Sequence, residues 1–578
     1  MGGMLIKGGS VVDGTGAPAF KSDVRVKDGV IAEIGQNLAA AAGERVIDAA
    51  GCIVSPGFIE SHTHFDATMW WAPDMDPLPG YGVTTSIMGN CGFSAAPLSA
   101  DPKVREAVQN EVIGIFSFFE DIPSQPFKEK LTWDWNTWSE YKKSMESHVK
   151  TATNTAAFVG HIPLRLAVLG LDAWTRAATP DELKKICALL DDALAAGAMG
   201  LSTNCLDHDG SGRPVPTFAA DDAEWDALFD VLAKYPAAQF QVSLDIFIHQ
   251  TAADWIEKLA TIMGDRKIRV QWAGAIPTLQ FQQPILARLE ELKARYEKQG
   301  KDFWTGYAHI PVTSSINVQQ SLMFAQSDEF VWHEVVEAKT QEEKLKILRD
   351  PEWRARARDS WDHKALPHSP FGSQRMILLD SENGTGPVNI TVPELAKQTG
   401  KHGSDALADW LIANGLFSTI HMMPFEMMDD VVGDLLVAPM SVGNISDAPA
   451  HGQMLCGGGE NMILFSTWVK DKKRISVEQA VHIQTGKLAN HFNFHDRGEL
   501  KTGKRADITI FNIDEIDRRE MKKVYDVPDG KGGLIWRWTR DAAPVRFTIV
   551  NGEVTFENGA FTGALPGKVI GPKLAAAH

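Results

Sequence analysis

The chain has 578 residues, of which 44% are hydrophobic and 23% are charged, and its formal net charge is −17. This composition is that of a globular protein with room for more than one domain. The negative charge argues against a nucleic-acid partner and against an anionic membrane surface. We therefore expect neither nucleic acid nor membrane as a partner, while the charge says little about the substrate.

Targeting signals and cysteines bear on the cellular location of the protein. The N-terminus shows no basic and then apolar secretory pattern, and no apolar run is long enough for a membrane-spanning helix. The five cysteines are odd in number and widely scattered, which does not suggest a disulfide framework. These features predict a cytoplasmic protein.

Short alternating strands are predicted at both ends of the chain. From Met4 to about Ala50 they are separated by Asp13-Gly14 and Asp28-Gly29, which are typical of hairpin turns. Strands this few and short are not stable alone. Segments near the C-terminus could complete their sheet, namely Ile508–Phe511, Phe547–Val550 and Val554–Phe556.

The stretch from Val54 to Pro97 carries the clearest chemical signal. A short apolar strand ends in His62-Thr63-His64, and residues two apart on a strand face the same side, so both imidazoles can bind one metal ion. A second strand, Val83–Met88, runs into Cys91. Imidazoles and a thiolate suit zinc better than magnesium or calcium.

Several segments together resemble the amidohydrolase superfamily of metal-dependent hydrolases. They are MLIKGGSVVDGTG near the start, PGFIESHTHFD in the stretch just described, and GELKTGKRADITIFN near the end. Two further segments, GVTTSIMGNCGFSAAP and FVGHIPLR, are similar to the N-acyl-D-amino acid deacylase branch, amidohydrolase family 3. The resemblance implies an α/β fold, a (β/α)8 TIM-like barrel with a small β-sandwich domain formed by both chain ends.

The implied domains have definite boundaries. The β-sandwich would comprise residues 1–53 and 496–578, and the barrel residues 54–495 with an insertion at about 278–400. That insertion is charged and irregular, and it is either a solvated addition or a lid over the site. A proline and a capping box at Thr179–Glu182 predict the start of one barrel helix, and Ser476 to Gln479 predict another.

Nine segments between residues 54 and 446 qualify as strands of an eight-stranded barrel, so one of them is extra. Seven follow the two strands already named: Thr155–Val159, Met199–Ser202, Phe240–Ile246, Ile268–Trp272, Phe303–Ala308, Ser418–Met422 and Ser441–Ser446. A barrel of this kind has its active site at the carboxyl ends of its strands.

Asp447 follows the last of these strands and is the candidate catalytic residue. The segment Ser446-Asp447 with His451 resembles the family's last-strand motif, in which the aspartate contacts metal and transfers protons. A helix N-cap is the alternative role. For Cys91, the resemblance implies a metal ligand, and a buried structural thiol is the alternative.

Other polar residues near strand ends are candidates for substrate binding. His161 follows the third strand and could bind substrate, support the metal, or be a satisfied core histidine. His208 and Arg213 lie in a loop rich in glycine and proline, where the arginine could bind a carboxylate. His309 ends the seventh strand, and His451 follows Asp447.

The sequence departs from the family at strands five and six. D-aminoacylase-like members carry a metal-binding histidine at the end of each, but the corresponding segments here, FQVSLDIFIHQ and RVQWAGAIPT, place none on the strand, and His249 follows by several residues. We also find no lysine on strand four that would form a carbamate bridge. We therefore predict one zinc ion per chain, bound by His62, His64, Cys91 and Asp447.

The expected activity is hydrolysis of an amide C–N bond in a small, apolar, N-acyl amino acid-like substrate. Aromatic residues near the strand ends suggest the apolar character: Phe65, Trp70, Trp71, Phe93 and Trp272. Hydrolysis of a cyclic amide or ester, or cleavage of a C–C bond, is the enzymatic alternative. The non-enzymatic alternative is a degenerate barrel that binds a ligand without turnover. The large insertion also suggests a homo-oligomer.

Overall fold

The structure is a computed structural model that describes residues 3–208, 213–246, 251–275, 283–311, 314–318, 331–363, 376–423, 426–530 and 532–573. Strands of the two chain ends form one nine-stranded sheet. The strand Ile53–Pro56 joins the ends, because it pairs parallel with Met4–Val11 and antiparallel with Ile508–Phe511. The predicted domain made from both ends is confirmed. Its other strands are Phe20–Lys27, Val30–Gly35, Arg45–Asp48, Val545–Val550, Glu553–Glu557 and Ala560–Phe561.

Eight parallel strands form the predicted barrel. Each pairs parallel with the next, and a parallel bridge between His62 and Ile445 closes the ring from the first strand to the eighth. The third strand is interrupted at Phe158. In order, the strands are Phe58–Glu60, Val83–Met88, Asn154–Ala157 with Val159–Gly160, Gly200–Cys205, Gln239–Leu244, Arg269–Ala275, Asp302–Tyr307 and Ser441–Val442.

Helices cover the outside of the barrel and bury a continuous apolar core against it. The helix Pro180–Ala195 begins as predicted, since Thr179 Oγ1 accepts a hydrogen bond from the Glu182 amide and Glu182 accepts one from the Thr179 amide. The capping box at Ser476 is also present. Further helices of at least six residues outside the insertion are Pro102–Phe119, Ser124–Lys130, Trp138–His148, His161–Leu169, Asp222–Leu232, Ala252–Met263, Gln283–Lys298, Asp429–Val437, Leu464–Asp471, Val477–Gln484 and Gly486–His491.

The insertion differs from the prediction in its bounds. The helix Gln283–Lys298 precedes the seventh strand, and Tyr296 stacks on Phe303 of that strand, so this helix belongs to the barrel. The added segment instead lies between the seventh and eighth strands. It contains the helices His333–Glu337, Gln341–Arg349, Pro351–His363, Val392–Thr399 and Gly403–Asn414.

One predicted barrel strand, Ser418–Met422, belongs to this insertion. The observed strand Thr419–Met422 pairs antiparallel with Ser314–Ile316 and with Met376–Asp380. The prediction was wrong because a short apolar segment has the same pattern in a small antiparallel sheet as in a barrel. The insertion also has a hydrophobic core of its own, which includes Trp353 and Leu407.

A separate hairpin, Met521–Pro528 and Leu534–Arg540, lies outside the nine-stranded sheet and packs beside the segment that carries Asp447. The Trp538 amide donates to the Gly452 carbonyl at 2.7 Å. Across the part of the chain that the structure describes, no helix is long and apolar enough to cross a membrane.

Candidate metal centre

His62 and His64 follow the first barrel strand and are almost completely buried, at 2% and 1% exposure. Their backbone is held by the last strand's segment: the His64 amide donates to the Ala448 carbonyl at 2.8 Å, and His62 forms the bridge to Ile445. The two rings lie 5.3 Å apart, centroid to centroid. The alternation of side chains along the strand thus places both imidazoles at one point inside the barrel mouth.

Cys91 meets the two histidines. Its Sγ lies 3.1 Å from His62 Nε2 and 3.8 Å from His64 Nε2, and the three ligand atoms are all within 4.8 Å of one another. The residue has a left-handed backbone, with φ 56°. Its amide donates to Gln241 Oε1 at 3.0 Å, which fixes the turn after the second strand.

Asp447 completes this group. Its Oδ1 lies 3.3 Å from His62 Nε2 and 3.8 Å from His64 Nε2, and its amide donates to the His62 carbonyl. The side chain is 39% exposed, whereas the histidines are buried. The structure therefore brings together the four residues predicted as ligands, with the carboxylate on the accessible side.

The fifth strand supplies different groups from the histidine of D-aminoacylase-like sequences. Ser243 Oγ lies 3.2 Å from Cys91 Sγ and can donate a hydrogen bond to it. On the sixth strand, Gln271 Oε1 accepts a hydrogen bond from His491 Nε2 at 3.0 Å and so pairs with that residue rather than with the cluster. His249 lies outside the described residues.

Burial sets the protonation of the cluster. It lowers the pKa of His62 and the pKa of His64 below the ordinary histidine value, so both rings are neutral at pH 7. Burial, followed by the charges of Glu120 and Asp447, raises the pKa of the Cys91 thiol. Two neutral imidazoles are ready to bind a metal, and the thiol must lose a proton when it does so.

Glu120 is a residue that the sequence reasoning missed. Its Oε2 lies 3.5 Å from His64 Nε2 and 3.8 Å from His451 Nε2, and burial raises its pKa well above the usual range. It follows the helix Pro102–Phe119 as its C-cap. The sequence does carry one signal, an acid at the end of a helix where acids are unfavourable, but not the proximity to His64.

Comparison with known proteins is consistent with this fold and site. A profile of the amidohydrolase family matches residues 45–360 and 394–556. The chain belongs to the amidohydrolase family. An N-acyl-D-glutamate deacylase of Alcaligenes xylosoxydans xylosoxydans is 34% identical over 578 residues, covering 98% of this chain and 96% of that protein. The present protein is thus a metal-dependent amidohydrolase close to the N-acyl-D-amino acid deacylases.

Two solved structures share the fold of this amidohydrolase. The N-acyl-D-glutamate deacylase of Bordetella bronchiseptica, complexed with zinc and a phosphonate inhibitor, superposes with a TM-score of 0.64 at 23% identity, over 98% of this chain and 99% of that one. A crystal structure of D-aminoacylase gives a TM-score of 0.62 at 23% identity, with the same coverage.

His161 does not have the substrate-binding geometry that was predicted for it in this amidohydrolase. The ring is fully buried, its Nε2 lies 2.8 Å from Glu224 Oε1, and its Nδ1 lies 3.2 Å from Thr203 Oγ1. Glu224 also pairs with Arg165. Because both ring nitrogens are engaged inside the protein, the alternative of a satisfied core histidine fits the structure.

The roles of His208 and Arg213 stay predictions. The His208 ring lies 5.7 Å from the Phe218 ring, and residues 209–212 between the two candidates are outside the described part of the chain. The Arg213 guanidinium stacks over Trp174 at 3.6 Å and lies 3.7 Å from Glu111 Oε2. A substrate carboxylate would compete with Glu111 for this arginine.

His309 and His451, the last two candidates for substrate binding, differ in how close they lie to the cluster. His309 is buried, its Nε2 lies 3.1 Å from the Glu460 carbonyl, and burial lowers its pKa to about 4, so that one nitrogen is engaged and the ring is neutral. His451 lies next to the cluster through Glu120, and its amide donates to the Glu120 carbonyl at 2.5 Å. Of the two, His451 is the one that lies near the predicted metal ligands, 3.8 Å from Glu120 Oε2.

An apolar cavity of about 440 Å³ adjoins residues that neighbour the cluster in sequence. Phe65 follows His64, and Pro449 lies two residues after Asp447. Two of the aromatic residues predicted near strand ends, Phe65 and Trp71, line it together with Ile122, Pro449, Trp536 and Leu565. Of the others, Phe93 lies 6.5 Å from the His64 ring, and Trp272 is buried in the core.

Proposed function

We propose that this amidohydrolase is a zinc-dependent deacylase that hydrolyses the amide bond of a small N-acyl amino acid with an apolar half. The observation that carries the proposal is the convergence of His62, His64, Cys91 and Asp447 at the carboxyl end of the barrel. The 34% identity to an N-acyl-D-glutamate deacylase supports the bond type and favours a D-amino acid.

The donor set fits zinc. Two neutral imidazole nitrogens, one sulfur and one carboxylate oxygen lie 3.1 to 3.8 Å from one another in the measured pairs. Ligand atoms that share a zinc ion at its usual bond lengths of about 2.0 to 2.3 Å have separations of this size. A sulfur ligand disfavours magnesium and calcium. We propose one zinc ion per chain.

Bound zinc would polarise the substrate carbonyl and lower the pKa of a water molecule. Asp447 is the group placed to handle the protons, since its carboxylate is partly exposed and lies beside both histidines. It would take a proton from the attacking water and return it to the leaving nitrogen. The Asp447 backbone, tied to the His62 carbonyl, keeps the carboxylate in place for both steps.

The apolar cavity supports a hydrophobic acyl or side-chain group in the substrate. Its walls are mostly carbon atoms of aromatic and aliphatic side chains, with Phe65 and Pro449 nearest in sequence to the ligands. A pocket of this volume is suited to a small ligand. Arg213 and His208 remain the candidates for binding the carboxylate of the amino acid half.

The test is a substrate panel with the zinc-loaded protein. It would contain N-acyl-D- and N-acyl-L-amino acids with aromatic, aliphatic and acidic side chains, together with cyclic amides and esters. We expect the highest kcat/KM on an apolar N-acyl-D-amino acid. Turnover of only the cyclic amides or esters would favour the alternative reaction, and no turnover of any compound by a zinc-loaded protein would contradict the proposal.

Asp447→Asn separates catalysis from binding in the same assay. Loss of the proton-transfer group should lower kcat by about 10²- to 10⁴-fold on the best substrate. Asp434→Asn, an exposed aspartate on the helix Asp429–Val437, is the control and should match the wild type. An Asp447→Asn variant as active as the wild type would rule out this aspartate as the base.

A further inference from the structure

Glu120 presents a buried carboxylate to the metal cluster from outside the barrel strands. Its side chain is 5% exposed, and its Oε2 lies 3.5 Å from His64 Nε2. That nitrogen is the one that also faces Cys91 Sγ and Asp447 Oδ1, each at 3.8 Å. The Glu120 carboxylate therefore lies beside the same ring nitrogen as Cys91 and Asp447.

The separation is that of two atoms that share a cation. Zinc–nitrogen and zinc–oxygen bonds of about 2.0 to 2.2 Å place neighbouring ligand atoms about 3 to 4 Å apart. The Glu120–His64 distance falls within this range, as does the 3.3 Å between His62 Nε2 and Asp447 Oδ1. By distance alone, Glu120 fits beside His64 as well as Asp447 fits beside His62.

The surroundings of Glu120 contain acids but no basic partner other than histidine among the described ion pairs. Among the described residues, its ion pairs are with His64 and His451 and not with a lysine or an arginine. The nearby charged groups, Asp447, Asp207 and Asp66, are all acids. An ionised carboxylate is strongly unfavourable in such a buried place, and a bound divalent cation would supply the charge that compensates it.

The position of Glu120 in its helix is also unfavourable without a ligand. It is the C-cap of the helix Pro102–Phe119, where the partial negative charge of the helix end disfavours an acid. The backbone there is fixed, because the Glu120 carbonyl accepts a hydrogen bond from the His451 amide at 2.5 Å. The helix end is thus tied to the segment that carries Asp447, with the carboxylate between His64 and His451.

We propose that Glu120 is a carboxylate ligand of the metal centre, supplied by the helix after the second strand in a site that lacks histidines on strands five and six. The inference rests on the proposed function, since it assumes a metal bound by His62, His64 and Cys91. Catalytic zinc expands from four to five ligands only in part of its cycle, so Glu120 and Asp447 need not both be bound at the same time. With Glu120 as the buried anionic ligand, Asp447, the more exposed of the two carboxylates, is available for proton transfer.

The test measures zinc affinity of the whole protein by competition with a chelator, for the wild type and for Glu120→Gln. The glutamine keeps the size of the side chain but removes the anionic ligand. We expect the zinc Kd to rise at least about tenfold. The visible spectrum of the cobalt-substituted protein should change as well, because it reports the ligands around the ion.

Asp121→Asn is the matched control for metal affinity. Asp121 is the next residue and is also a buried carboxyl, but it accepts the Gln453 amide at 2.7 Å and has no contact with the histidines among the described ion pairs. Its zinc Kd should stay within about twofold of the wild type. Glu120→Asp, which retains the charge on a shorter side chain, provides a second variant if Glu120→Gln does not fold, and its Kd should also rise.

The outcomes separate the two proposals. A wild type that binds no zinc contradicts the proposed function itself. A wild type that binds zinc, with a folded Glu120→Gln variant of equal affinity and unchanged cobalt spectrum, overturns only the role of Glu120.

Discussion

At the scale of single residues, burial sets the protonation states of the side chains in the candidate metal centre. Lowered pKa values keep His62 and His64 neutral, and the raised pKa of Cys91 keeps its thiol protonated until a cation binds. The sequence predicted these three residues because alternation along a strand and a thiol after the next strand are local features. Glu120 was not predictable, because its proximity to His64 arises only when the helix packs against the barrel.

The Cys91 thiol leads to a prediction about proton release. Zinc binding should release about one proton fewer per chain in Cys91→Ser than in the wild type, and affinity should fall, because the hydroxyl is a poor ligand that does not ionise. Calorimetric titrations in buffers of different ionisation enthalpy measure this number. Cys187→Ser, on the helix Pro180–Ala195, is the control, and equal release from both variants would exclude Cys91 as a ligand.

Asp121 leads to a prediction about pH and stability. Burial raises its pKa to about 7, so the folded protein holds this proton more tightly than the unfolded chain does. The contribution of Asp121 to stability is therefore present below pH 4 and is lost as the pH rises to about 7. Relative to the wild type, Asp121→Asn should gain stability between pH 5 and pH 8. Urea denaturation midpoints at both pH values test this, and a constant difference would contradict it.

At the scale of elements, the segment from Asp447 to Gly458 is held by parts of the chain far away in sequence. Arg540, at the end of the hairpin Met521–Arg540, donates to the carbonyls of Gly458 and Cys456 at 3.1 Å each. The insertion contributes as well, since the Ser315 amide donates to the Met454 carbonyl. The hairpin and the insertion thus both form hydrogen bonds with the segment that carries Asp447.

We expect Arg540→Met to lower both stability and kcat. The variant leaves the buried carbonyls of Gly458 and Cys456 without their donor, which costs about 1 to 3 kcal/mol for each group. Movement of the segment should lower kcat and also raise KM, because Asp447 is displaced together with Pro449, which lines the cavity. Thermal denaturation and steady-state kinetics measure the two effects. Arg540→Lys should recover part of kcat, and a variant with wild-type kinetics would show that the hairpin does not position Asp447.

Some helices and strands could be predicted from the sequence, and others could not. The capping boxes at Thr179 and Ser476 are local and are present as expected. The segment Ser418–Met422 was assigned to the barrel because its apolar pattern does not reveal its partners. The predicted bounds of the insertion were wrong for a related reason. Nothing in the sequence of Gln283–Lys298 distinguishes a charged helix of the barrel from a helix of the insertion.

At the scale of the whole molecule, the described residues bury several distinct hydrophobic cores. The barrel core, the core of the two chain ends and the core of the insertion contain different residues. The insertion core includes Met454, which lies in the segment that follows Asp447, so the insertion packs directly against that segment. Separate cores favour unfolding in more than one step.

Trp353→Ala tests this organisation. The side chain is buried in the insertion core, and its removal should cost about 3 to 5 kcal/mol there. We expect scanning calorimetry of the wild type to show more than one transition and the variant to lower only one of them. A single transition that shifts as a whole would show that the insertion and the barrel unfold together.

The most direct measurement is the metal content of the protein purified without chelators, by elemental analysis, for the wild type and for His62→Ala. We predict one zinc ion per chain in the wild type and its loss in His62→Ala, because the His62 imidazole contacts both Cys91 and Asp447. Two ions per chain would contradict the single-ion centre. A wild type without metal that also takes up no added zinc would contradict the hydrolase mechanism.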